Sequence, residues 1–82
     1  MTIVLKIVDA STGDTMYLRQ FTDYTIGVNI MREFAASHYG KKYYAYFNMI
    51  SEYYSYNGKH HRNTYDIYSY VLEKGKCRSK KP

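Results

Sequence analysis

The chain has 82 residues, with twelve Lys plus Arg against seven Asp plus Glu, and so a formal charge of +5 at pH 7. That length holds one domain, and 45% hydrophobic with 18% aromatic residues exclude a disordered chain. Charges interrupt the apolar residues too often for a membrane-spanning helix, and a single cysteine excludes an internal disulfide or a zinc site built on cysteine pairs.

Thr2 to Val8 is β-branched and apolar, the composition of a strand. Met1-Thr2 enters it directly, without the basic segment or cleavage site of a secretory signal, so a cytoplasmic, reducing setting is expected. Residues 9–14 form a turn cluster in which Gly13 can supply a positive φ. Residues 15–21 read as a second strand, which closes an N-terminal hairpin. Thr22-Asp23 is a helix N-cap signal, because a short side-chain oxygen accepts from the first free amides. Ile26, Ile30, Met31, Phe34 and His38 recur at spacings of three and four, which predicts an amphipathic helix over 24–39 with Gly40 at its C′ position.

Beyond Lys41 composition and periodicity disagree. Residues 43–56 and 64–73 are rich in Tyr, Ile, Phe and Val, and Asn57-Gly58 between them is a hairpin signal. Asn48, Ser51, Glu52 and Ser55 would nonetheless share one narrow face of a helix. Mediocre helix propensity of Tyr, Thr and Val favours strands, and a lone hairpin needs further strands beside it. The expected fold is therefore α+β, in the order ββαββ; the alternative is a β-hairpin followed by three helices. The element order of the first forty residues resembles the opening of the ubiquitin-like β-grasp layout, a hairpin followed by a capped helix across the sheet. Ile3, Leu5, Ile7, Leu18, Ile30, Met31, Phe34 and Val71 are the expected core. Residues 1–74 form the expected compact domain and 75–82 a basic, flexible C-terminal tail.

No GxGxxG or GxxxxGK[ST] loop is present to cradle phosphates. Adjacent His60-His61 rarely suit one metal, and no further ligand stands at the spacing a site needs. Cys77 lies between Lys76 and Arg78, cations that lower a thiol pKa, but a tail positions no base beside it, so an exposed inert thiol is expected. Ser37-His38 lacks the strained turn of a nucleophile. We expect no catalytic residue, metal or cofactor, and hence no enzyme.

Charge divides the chain. Residues 1–40 hold three cations against four acids, net −1, whereas residues 41–82 hold nine against three, net +6. Nine of the twelve tyrosines fall in the same half, between Tyr43 and Tyr70. A core of this size cannot hide twelve tyrosines, so several must be at least half exposed. The expected contact residues are Lys59, His60, His61 and Arg62 in one loop, Tyr53, Tyr54 and Tyr56 beside it, and Lys76, Arg78, Lys80 and Lys81 in the tail. Lysines neutralise phosphates while tyrosine faces stack bases, which points to a small non-enzymatic regulator that binds DNA or RNA, or a nucleic-acid-associated complex. Tyrosine is also enriched at protein interfaces. The alternative is accordingly an inhibitor or adaptor of the phage or mobile-element type, docking on a host protein.

Overall fold

The computed structural model describes residues 2–56 and 59–80, with the strand backbone alone for 50–56 and 59–67. The fold is α+β: β1 (Thr2–Asp9), β2 (Thr15–Phe21), α1 (Tyr24–Ser37), β3 (Tyr43–Tyr56), β4 (Lys59–Glu73) and β5 (Lys76–Ser79). The sheet is antiparallel throughout, in the order β2-β1-β3-β4-β5. Both β2 and β3 run opposite to β1, so they run parallel to each other, and α1 supplies the crossover that such a pair requires. Among the described residues there is one helix and not three. Among the described residues no helix is long and apolar enough to cross a membrane.

Period-two alternation builds the core. Ile3, Leu5 and Ile7 of β1 and Tyr43, Ala45 and Phe47 of β3 are buried beneath α1, joined by Leu72 of β4. The helix contributes Gly27, Met31 and Ala35, a stripe at intervals of four. Phe47 is at the centre, fully buried, with the Tyr24 ring edge-on at 4.9 Å and Tyr70 at 5.9 Å. The hydroxyls of Tyr24 and Tyr70 share a hydrogen bond at 2.9 Å. Burial, and next that bond, push the Tyr24 hydroxyl above its ordinary pKa.

The expected core needs three amendments. Leu18 is 59% exposed, because it pairs with Lys6 on the sheet face away from the helix and lies on edge strand β2. Ile30 and Phe34 are half-buried and flank the stripe without forming it. The helix is also shorter than its periodicity suggests. It stops at Ser37, and His38 caps it by donating its backbone N–H to the Phe34 carbonyl at 3.0 Å. The His38 Nδ1 lies 2.9 Å from that same carbonyl, which can only accept, so Nδ1 carries the proton. Its ring stacks on Phe34 at 3.8 Å. Gly40 is not in the left-handed region that a C′ glycine adopts.

Two turns show how local chemistry fixes the hairpins. Asp9 ends β1 buried, its carboxylate accepting from the Ser11 amide at 2.8 Å and the Ser11 hydroxyl at 2.6 Å, with the Lys41 ammonium at 3.5 Å. The Ser11 bonds, and then Lys41, hold its pKa below the ordinary carboxylate value. Gly13, at φ +79°, donates to the Asp9 carbonyl and closes the turn as its sequence implies. At the other end, residues 76–79 are no flexible tail but the edge strand β5, paired with β4. Lys74 and Gly75 both have positive φ, 52° and 75°, the two-residue turn whose twist matches a hairpin.

Two outcomes test this packing. A Cβ at Gly27 would stand 2.9 Å from Cε1 of Phe47, whose ring is locked in the core. Gly27→Ala should therefore destabilise the protein by about 1–3 kcal/mol in chemical denaturation, although alanine favours a helix by about 1 kcal/mol; a rise in stability would contradict the packing. For Asp9 the depressed folded pKa adds stability above the unfolded value near ~3.9 that is lost as pH falls through the folded one. Asp9→Asn should thus lower the melting temperature at neutral pH, by a gap that narrows below about pH 4. An unchanged gap would exclude that role.

Candidate functional site

One helix covers one face of the five-stranded sheet. Residues directly opposite in an antiparallel pair share a face, so the register identifies what the other face carries. One row runs Val8, Tyr44, Val71, Arg78. The next runs Leu18, Lys6, Tyr46, Ser69, and the Lys80 amide donates to the Ser69 carbonyl at 2.8 Å. Glu73 stands opposite Lys76 at the turn end.

The last strand explains why so many cations meet here. In Lys76-Cys77-Arg78-Ser79-Lys80, alternation sends the three cations to the open face and Cys77 toward α1, opposite the buried Leu72. What reads as an unordered basic run is a stripe of charge spaced two residues apart, about 6.6–6.8 Å. Lys80 folds back over the neighbouring strands, its ammonium 4.3 Å from the Tyr44 ring centre and 5.7 Å from that of Tyr46. The Lys42 ammonium is 5.7 Å from the Tyr44 ring. Lys6, Lys42, Lys76, Arg78 and Lys80 are all exposed, while Tyr44 and Tyr46 are half-buried. A shallow depression of about 370 Å³, bounded in part by Ser11, Lys41, Lys42 and Tyr44, adjoins this cluster.

Two ammonium groups within 6 Å of one ring gain cation–π attraction and repel each other. An anion arriving between them relieves that repulsion. The face therefore offers anion neutralisation and aromatic surface side by side.

The residues singled out from sequence divide into two groups. Lys76, Arg78 and Lys80 are on the open face, with Lys81 outside the described residues. Lys59, His60, His61, Arg62, Tyr53, Tyr54 and Tyr56 belong to β3 and β4, where the described structure is backbone only. There Tyr53 pairs with Arg62, Tyr54 with His61 and Tyr56 with Lys59, while Asn57-Gly58 lies outside the described residues. β1 pairs β3 only as far as Ile50, and β5 meets β4 only at 70–73. Residues 51–56 and 59–63 thus form a two-stranded ribbon about 20 Å long beyond the sheet body, consistent with principal extents of 49 × 26 × 23 Å. Expected contact residues therefore occupy two places, the ribbon and the open face. Sequence reasoning passed over Lys6, Lys42, Tyr44 and Tyr46. Their signal was parity within the strands: Tyr44 and Tyr46 alternate with the buried Tyr43, Ala45 and Phe47.

Among the described residues no three His, Cys, Asp or Glu side chains converge as a metal site requires. Cys77 is not the exposed thiol expected of a tail. It packs against the core, and burial pushes its pKa up, opposed by the charge of Arg32 on α1. No protein family, curated protein or solved structure matches this chain.

Cys77 gives a direct check on β5. With the thiol packed and its thiolate disfavoured, alkylation at pH 8 should be several-fold slower in the native protein than in urea. Equal rates would mean that β5 is not docked.

Proposed function

We propose that this protein is a small non-enzymatic nucleic-acid-binding protein that uses the open face of its sheet. The observation that carries this reading is the stripe of Lys76 and Arg78 on β5 and Lys80 just past it, beside Tyr44 and Tyr46, with Lys6 and Lys42 on the same surface. Regularly spaced cations suit a polyanion, whose counterions are released as phosphates are neutralised. Glu73, opposite Lys76, and Asp66, at the position opposite Asn48, are the acids that the described register adds to this face. The ribbon carries Lys59 and Arg62 beyond the sheet body and lengthens the path a polyanion can follow.

Because β5 is part of the sheet, charge substitution is a cleaner test than truncation. Lys76→Gln, Arg78→Gln and Lys80→Gln leave the backbone pairing intact. Each phosphate no longer neutralised should flatten the plot of log affinity against log salt by about 0.7–0.9 units, measured by anisotropy with random-sequence oligonucleotides. Salt-independent binding, or none, would refute the reading. Capture of the same protein from nuclease-treated lysate by wild type and triple variant would then favour the adaptor alternative.

A further inference from the structure

We infer that Tyr44 and Tyr46 form a stacking platform for unpaired bases, so that the ligand of the open face is single-stranded nucleic acid and Lys80 is the group a base displaces. This inference rests on the nucleic-acid reading and narrows it to one strand.

Three observations carry it. The first is spacing. Tyr44 and Tyr46 are two residues apart on β3, and Lys76 and Arg78 two apart on β5, a repeat of about 6.6–6.8 Å that Lys80, just past β5 and still bonded to Ser69, continues. Bases stacked in a duplex rise by only ~3.4 Å per strand. A polynucleotide that meets both rings, with phosphates following the cations, must be drawn out to about twice that rise. Its bases are then unstacked and their faces free. A duplex keeps its base faces inside the stack and cannot offer them to a sheet.

The second observation is what occupies the rings. The Lys80 ammonium lies within 6 Å of both ring centres, and the Lys42 ammonium within 6 Å of the first. Lys80 is exposed and stands at the end of the edge strand, so swinging its side chain away disrupts no strand pairing. On binding, a base takes the place of the ammonium over the ring, and the ammonium moves to a phosphate. Cation–π attraction at an exposed site is weak, about 0.5–1 kcal/mol, so this exchange is readily reversible. The third is shape. The depression beside Asp9, Ser11, Lys41, Lys42 and Tyr44 adjoins the Tyr44 ring and has room for a nucleotide. Lys41 there is paired with Asp9, and Lys42, whose ammonium reaches over the Tyr44 ring, is the cation at hand.

Charge and stacking leave different marks on binding, and this separates the inference from the reading it rests on. The probes are short fluorescein-labelled oligothymidylate and oligouridylate, with a labelled DNA duplex of equal length, titrated across a salt series. Both single strands should bind more tightly than the duplex. Tyr44→Leu and Tyr46→Leu, which keep apolar cover over the sheet, should each weaken single-strand binding by about 5- to 150-fold with the salt slope unchanged. Tyr44→Phe and Tyr46→Phe should retain wild-type affinity. Lys80→Gln should lower the slope by about 0.7, and its affinity extrapolated to high salt should equal or exceed that of wild type, because the rings are already uncovered. Circular dichroism confirms that each variant is folded, and the Phe pair keeps the test valid if a Leu variant is not. Duplex preferred over single strand, or Leu variants that bind like wild type, would overturn the platform while leaving the nucleic-acid reading in place. Absence of binding to any of the three probes would overturn both.

Discussion

β3 has neighbours on both sides in the sheet, and its alternation governs everything around it. Tyr43, Ala45 and Phe47 are buried against α1, so Tyr44 and Tyr46 must point the other way. A slip of one residue would expose Phe47 and bury Tyr46, so the hydrophobic core and the open face are specified by one register. Gly27 is the point on the helix that makes this register possible, since a side chain there would collide with the Phe47 ring. The core thus selects which tyrosines are free to meet a ligand. It does so without any residue of the open face taking part.

Much of this was legible in sequence. The β-branched opening, the turn at Gly13 and the Asp23 cap each follow from local chemistry, and the structure has them where that chemistry puts them. Of the expected stripe of Ile26, Ile30, Met31, Phe34 and His38, only Met31 belongs to the buried row of Gly27, Met31 and Ala35, and Ile26 is exposed. The C-terminal half was harder. In β3 the helical spacing of Asn48, Ser51, Glu52 and Ser55 competes with strand composition, and only long-range pairing with β1 and β4 resolves it. His38 mimicked one more position of the apolar stripe, whereas its role is to cap and stack on the last turn.

The candidate site was visible as composition and hidden as geometry. Five cations between Lys74 and Lys81 read as a solvated run, because repulsion among like charges argues against order. Pairing with β4 and a hairpin turn at Lys74-Gly75 overcome it, and alternation then sorts Lys76, Arg78 and Lys80 from Cys77. Gly75 was the clue to that turn, and charge density obscured it. Tyr44 and Tyr46 were lost among nine tyrosines, because aromatic content carries no information about face until the register is known. Leu18 misled in the same way: its hydrophobicity suggested core, while its parity placed it beside Lys6 on the open face.

The central claim is that alternation along β3 and β5 assembles one ligand face, opposite the helix. The most direct measurement is a heteronuclear NMR titration of the folded protein with short oligothymidylate at moderate salt. The Tyr44 and Tyr46 ring signals and the amides of Lys76, Arg78 and Lys80 should move together along one binding isotherm. Signals of Thr25, Asn29 and Glu33, on the exposed side of α1, should stay fixed. Shifts concentrated on α1 or on β2, with the tyrosine rings unmoved at saturation, would contradict that claim.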